Sequence, residues 1–335
     1  MSQRPVDFDP ENFRFRGLHP QVFLGTASDR YAAWMGQIYS RERFEKRVAT
    51  RTKAFSGHTY REDVLPLESV SEYFDHFRTL EIDFTFYQLL LDAEGNPTQS
   101  HRVLEGYRRH LAPEDRLLLK VPQVICARKI SRGGSHVENP DFLDPDVFTN
   151  RFFEPAVALL GSHLEGMIFE QEYHRKQERM TPDAVAEAFD AFFGSIPADS
   201  RYHLELRTDS YLSKPVFTVL EKHGVGQVLS HWTWLPPLDR QFAKVGRRVL
   251  NAGGRLVVRL LTPAGTRYEE AYAAAYPFDK LVEGMLQPKM IDDTVAIVKA
   301  AISQGVRVHV VVNNRAGGNA PLIARLLAER FLESD

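Results

Sequence analysis

TVAIVKAAISQGVRVHVVVNNRAGGNAPLIARLLAERFLES, residues 294–334, reads as helix, strand, helix. TVAIVKAAISQG (294–305) and APLIARLLAERFLES (320–334) space their apolar residues at helical intervals. RVHVVVNN (307–314) is short and rich in valine, as strands covered on both faces are. A strand set between amphipathic helices is the repeating unit of a parallel sheet with crossover connections.

Seven further runs of the same kind precede it: VFLGT (22–26), LEIDFTFY (80–87), RLLLKVP (116–122), EGMIFEQ (165–171), YHLELR (202–207), GQVLSHW (226–232) and RLVVRLL (255–261). Helical patterns such as SVSEYFDHF (69–77) and DAVAEAFDAFFGSI (183–196) lie between them. Eight such units in 335 residues predict an α/β fold, a single-domain (β/α)₈ TIM barrel, in preference to an open doubly wound sheet. On this reading residues 1–20 are an N-terminal extension and 21–335 the barrel domain. Connections 38–68, 123–146 and 262–290 exceed ordinary loop lengths. They follow strands one, three and seven, so they should overhang the C-terminal mouth, where barrels of this kind carry their sites.

Composition excludes several classes. Hydrophobic residues make up 43% and charged residues 26%, which supports a folded core and argues against disorder. With 42 basic and 44 acidic residues the net charge is -2, which demands neither a nucleic acid nor an anionic membrane as partner. The single cysteine, Cys126, has no partner for an internal disulfide. The start, MSQRPVDFDPENF, lacks the apolar stretch of a signal peptide, and no run approaches the roughly 18 apolar residues of a membrane helix. A cytoplasmic protein is the expectation.

Side chains alternate along a strand, so parity divides core from barrel interior. In 80–87, Leu80, Ile82, Phe84 and Phe86 share one face, and Glu81, Asp83, Thr85 and Tyr87 share the other. With the apolar face against the helices, the acidic face points inward. In 202–207, His203, Glu205 and Arg207 repeat the pattern. The remaining strands end in Lys120, Gln171, Arg259, and Asn313 with Asn314.

Unpaired charges in a barrel interior would cost several kcal/mol each. Glu81, Asp83 and Glu205 against Lys120, Arg207 and Arg259 offer their own pairing. The set is then either a salt-bridge plug or a ligand site, and its position at strand ends favours the site. In a site, Glu81, Asp83, Lys120 and Glu205 are the candidates for chemistry, while Arg207 and Arg259 suit bidentate anion binding. Glu81 and Asp83 lack a third acidic ligand, so no metal is assigned, and no cofactor follows from the sequence.

Trp34, Trp232 and Trp234 are candidates for stacking on a sugar or base, or for ordinary packing. Cys126 and His231 have no spacing that marks a nucleophile and its base. Gly133–Gly134 and Gly317–Gly318 form no nucleotide-binding motif. Asn319 stands where a helix begins, as a cap or beside an anion. RERFEKRVATRTK (41–53) and ARKISRGGSH (127–136) are basic segments beside the mouth.

The strand ends together resemble the YecE-like family, known as domain of unknown function 72. GTASDRYAAWMGQIY (25–39) is similar to its opening GTSGWxYxxWxGxFYP, and YFDHFRTLEIDFTFY (73–87) to YAxxFxTVEINSTFY. LLLKVP (117–122) resembles the lysine-bearing strand and GMIFEQ (166–171) the strand carrying a glutamine. HLELRTDSYL (203–212) resembles EFRHxSW, and VVVNNRAGGNAPLIARLL (310–327) the closing FNN…GxAxxNAxxL. The resemblance runs in order over about 22–327.

It implies a TIM barrel and no established activity. It adds Thr26, Trp34, Thr85, Tyr87, Gln171, Asn313 and Asn314 as ligand-side candidates beside Glu81, Lys120, Glu205 and Arg207. The departures are Asp83 for an asparagine, Cys126–Ala127 for Thr-His, Glu172–Tyr173 for prolines, Thr208 for a histidine and Tyr211 for a tryptophan. The lost histidines weaken any mechanism that needs imidazole.

Three functions fit the sequence: an enzyme acting on a small anionic, phosphorylated or sugar-like ligand; a nucleic-acid binding or processing protein gripping through the basic loops; and a scaffold without chemistry. Whether the chain is an enzyme, and its oligomeric state, stay open at this stage.

Overall fold

The computed structural model describes residues 7–55, 57–132 and 135–333. Gly133–Gly134 and the chain ends 1–6 and 334–335 lie outside them, as do the side chains of 131–136 in the second basic segment.

Eight parallel strands close into a barrel: β1 (Val22–Ala27), β2 (Thr79–Ile82), β3 (Arg116–Lys120), β4 (Leu164–Glu170), β5 (Tyr202–Glu205), β6 (Gly226–His231), β7 (Arg255–Leu260) and β8 (Arg307–Val312). β1 pairs with both β2 and β8, which completes the cylinder. A helix follows each strand: α1 (Val70–His76), α2 (Gln99–Arg108), α3 (Glu154–Leu160), α4 (Pro182–Ser195), α5 (Lys214–His223), α6 (Leu238–Lys244), α7 (Pro288–Ser303) and α8 (Ala320–Glu333). The fold is thus the (β/α)₈ barrel that the sequence predicts, as one domain.

Local sequence sets the helix ends. Thr181 accepts a bond from the Ala184 amide and Pro182 opens α4, where a missing N–H costs nothing. α5 stops at Gly224, whose φ of 66° suits a residue without Cβ. Gly25 serves closure instead. A Cβ there would stand 2.0 Å from the Thr79 carbonyl oxygen, so only glycine lets β1 approach β2.

The core lies between barrel and helices, as Leu80, Leu117, Leu119, Met167 and Phe169 on the outer strand faces meet Phe74, Phe192 and Leu327. Inside the barrel the side chains form layers. Ala27, Leu118, Ile168, Val228, Val257 and Val311 make an apolar middle layer. Below it, at the strand N-termini, Glu165 meets Arg255, Arg307 and His309. Above it, at the C-termini, lies a second ionic layer.

The three long connections do follow β1, β3 and β7. The first carries the hairpin Ala49–Phe55/His58–Val64, the second Lys129–Arg132/Ser135–Glu138, and the third a helix, Tyr268–Ala275. The N-terminal segment packs onto the barrel. Arg16 is buried, donates to the carbonyls of Phe74 and Phe77, and pairs with Asp115 at 3.2 Å. No helix among the described residues is long and apolar enough to cross a membrane.

Candidate functional site

The upper layer is built from the last turns of pleat on six strands. Lys120, Glu170 and Glu205 are the final residues of β3, β4 and β5, while Glu81, Ser230 and Arg259 are penultimate on β2, β6 and β7. Arg207 follows β5. The Arg259 guanidinium takes Glu81 bidentately, at 2.7 and 2.6 Å, contacts Glu205 directly and reaches Glu170 at 3.3 Å. Glu205 also accepts from the Ser230 hydroxyl and, at 2.9 Å, from Arg207.

Glu170 is the second hub. Its Oε2 lies 2.8 Å from Lys120 Nζ and 2.8 Å from Arg207 Nη2. Three carboxylates therefore meet three cations, and the layer is internally neutral. Burial alone would raise the Glu170 pKa. Arg207, Lys120 and Arg259 outweigh it and hold the carboxyl well below the usual range. Burial would likewise pull the Arg259 pKa down, yet Glu205, Glu81 and Glu170 leave it raised.

Access is uneven. Glu81, Glu205 and Arg259 are sealed, with side chains 3% exposed or less, whereas Lys120, Glu170 and Arg207 keep 11–13%. The open edge is thus Lys120–Glu170–Arg207. The Lys120 ammonium sits 3.9 Å from the Phe86 ring centre, and the Arg207 guanidinium 4.7 Å from that of Trp232. Beyond Trp232, Tyr173 and the 44%-exposed Trp234 stack with rings 5.8 Å apart. Tyr173 also lines a cavity of about 800 Å³, with Arg128, Lys129, His174 and Arg175. His174 is held between Glu172 at 2.8 Å and the Tyr211 hydroxyl at 2.7 Å.

Expected residues are placed as follows. Glu81, Lys120, Glu205, Arg207 and Arg259 do converge. Lys120 pairs with Glu170 and not with Glu81. Asp83 leaves the cluster: β2 ends at Ile82 and the chain turns into a 3₁₀ helix over Phe84–Phe86, so the alternation stops before Asp83. Asp83 instead lines a cavity of about 290 Å³ with Asp29, Tyr31, Arg51 and Glu62. For the same reason Thr85 and Tyr87 do not share the inner face. Thr85 is buried and donates to the Lys120 carbonyl at 2.7 Å, while Tyr87 is exposed.

Gln171 is buried and accepts from the Arg207 amide at 3.1 Å, its Nε2 finding no hydrogen-bond partner among the described residues. Thr26 is buried and donates to the Ser28 carbonyl. Trp34 is fully buried against Tyr31 and Tyr39, packed in the core. Asn313 accepts from the Arg315 amide and Asn314 from the Ala320 amide, so both hold the turn into α8. Asn319 caps α8 through the Leu322 amide.

Cys126 is buried, which pushes its thiol pKa up, and His231 bonds Gln287. The basic segment 41–53 is largely neutralised: Arg43 pairs with Glu72, Arg47 with Glu68, and Arg51 and Lys53 with Glu62. Among the described residues no group of three His, Cys, Asp or Glu is placed to hold a metal ion.

Two features escaped the sequence reading. Glu170 shares inward parity with Gly166 and Ile168 in EGMIFEQ, a signal that was present but assigned to Gln171. Asp29 is buried beside Asp83, and its Oδ1 accepts from Tyr107 at 2.8 Å. Burial, with Asp83 adding to it, pushes its pKa up to about 6 against the opposing effects of Arg30 and Tyr107.

Comparison with known proteins agrees with this architecture. A solved DUF72 family protein from Thermotoga maritima is 16% identical, with 93% of this chain and 99% of that one covered and a TM-score of 0.56. One from Enterococcus faecalis is also 16% identical, covering 93% and 95%, with a TM-score of 0.55. No curated protein matches. The family model described as "Protein of unknown function DUF72" matches residues 23–334, and the chain belongs to that family.

Proposed function

We propose that the C-terminal mouth binds and transforms a small anionic ligand of phosphorylated or sugar-like character. The observation that carries this is the Lys120–Glu170–Arg207 edge. It is the only part of the ionic layer with appreciable solvent access among the described residues, and it adjoins an aromatic shelf. A ligand anion can replace Glu170 as the partner of Lys120 and Arg207, with Arg207 offering a planar fork. Trp232, Tyr173 and Trp234 supply flat apolar faces of the kind that sugars and bases stack on.

On this reading Glu81 and Glu205 position Arg259 and Arg207 and do not meet the ligand. Glu170, released from its cations when the anion arrives, gains basicity and becomes the proton-transfer group. Asp83 and Asp29 line a second cavity, of about 290 Å³, where a carboxyl with a pKa near 6 can deliver a proton close to neutral pH. The pairing of segment 41–53 with Glu62, Glu68 and Glu72 favours this reading over a nucleic-acid grip.

A thermal-shift screen of sugar phosphates, acidic sugars and neutral sugars tests it, with wild type beside Lys120→Ala. The expected result is a stabilising anionic ligand whose effect is lost in the variant. A shift equal in both proteins, or none with any anionic compound, overturns the reading.

A further inference from the structure

The opposite face of the barrel carries a ring of arginines. Arg116, Arg255 and Arg307 are the first residues of β3, β7 and β8, while Arg78 and Arg201 immediately precede β2 and β5. In a parallel barrel these positions share one rim. Phe23 of β1 lies inside the ring, its centroid 3.8 Å from the Arg78 guanidinium carbon and 4.9 Å from that of Arg307.

Carboxylates there are too few for the cations. Glu165 serves Arg307 at 2.5 Å, Arg255 at 2.9 Å and Arg116 at 3.5 Å, with His309 at 3.6 Å. Asp199 is taken by Arg201. Glu114 and Asp115 both engage Arg16, a sixth guanidinium. Among the described residues six guanidiniums therefore meet four carboxylates at this rim, two positive charges in excess. Arg78 has no carboxylate within 4 Å among the described residues. Burial first, and then the nearby charges of Arg16, Arg307 and Arg116, pull its pKa down to about 10 against the opposing effect of Glu114.

We infer that this rim is an anion site, separate from the mouth, in which Arg78, Arg116 and Arg307 take a phosphoryl group above Phe23. A dianion matches the excess charge, and guanidinium forks match phosphate oxygens bidentately. Arg78 and Arg307 approach from either side of β1, and the backbone of Arg116 bonds directly to that of Arg78. Surface access remains: the Arg307 side chain is 41% exposed and that of Arg116 22%. The N-terminal face of a barrel ordinarily serves stability, and a surplus of like charge does not serve it.

Isothermal titration of the full chain at low ionic strength tests this, with inorganic phosphate and glycerol phosphate as probes. Wild type, Arg78→Gln, Arg307→Gln and Lys120→Ala are compared, their folding checked by thermal melts. The expected result is saturable phosphate binding by wild type and Lys120→Ala, weakened about tenfold or more in each arginine variant. Binding of the ester as well identifies the phosphoryl group of a larger ligand as the target; exclusion of the ester identifies the free ion. No saturable binding of either probe by wild type overturns the inference. So does binding that survives both arginine substitutions and is lost with Lys120→Ala, which would place the phosphate at the mouth.

Discussion

Arg259 and Glu81 form a bidentate tie across the barrel interior, at 2.7 and 2.6 Å, from strands that β1 and β8 separate in the sheet. Both partners are almost wholly buried, so the tie braces the barrel beneath the mouth. Glu81→Gln keeps the shape and removes the charge. Arg259 retains Glu205 and Glu170, so the loss should sit near the lower end for a broken buried pair, about 3 kcal/mol. Urea melts of variant and wild type measure it. A loss well below about 1 kcal/mol would show that the tie carries no stability.

Lys120 and Glu170 should behave differently. Lys120→Ala leaves Glu170 with Arg207 and Arg259, and its side chain already reaches solvent, so about 1 kcal/mol of stability is expected to go. Glu170→Gln leaves three cations facing two carboxylates. On the proposed function it should tighten binding of an anion at the mouth by about tenfold and abolish turnover, because there the competing carboxylate and the proposed proton carrier are the same group. Titration of both variants with the best compound from the thermal-shift screen separates them. Weaker anion binding in Glu170→Gln would contradict the exchange of partners proposed for this edge.

Most of the barrel was legible because its signals are local. Each strand is a short apolar run and each helix an amphipathic one, and both periods follow from burial on known faces. The site was legible only where a strand continued. Glu81 obeys the alternation; Asp83, two residues on, does not, because backbone turns at the end of β2 and no apolar pattern announces the turn. Glu170 was readable by parity and was overshadowed by Gln171 next to it. Asp29 was not readable: its burial depends on Tyr107 from α2, a contact across 78 residues. Surplus charge on the N-terminal rim was equally hidden, since the five arginines are scattered through the sequence and meet only when the barrel closes.

Gly25→Ala tests that closure. The added Cβ would stand 2.0 Å from the Thr79 oxygen and 2.6 Å from its Cγ2, and the first of these is backbone that cannot yield without moving β2. Overpacking of this kind costs about 3 kcal/mol, at the upper end of the usual range. A lowered melting temperature with an unchanged denaturant m-value is the expected signature. A neutral substitution would mean that β1 and β2 have slack at this point.

Asp29 predicts a pH dependence of definite sign. Its folded pKa of about 6 lies above the ordinary value of 3.8, so between these limits the folded chain binds more protons than the unfolded one. Stability from this group is present at low pH and is lost as pH rises through the window, by roughly 3 kcal/mol in total for a fully buried carboxyl. Asp29→Asn keeps an oxygen for the Tyr107 hydroxyl and removes the titration. Other groups cancel in the difference between the two proteins. The variant should therefore match wild type near pH 3.5 and exceed it in stability above pH 6.5, as read by urea melts across that range. A difference that stays flat with pH would show that the Asp29 carboxyl titrates normally, and would remove the proton donor proposed for the cavity it lines.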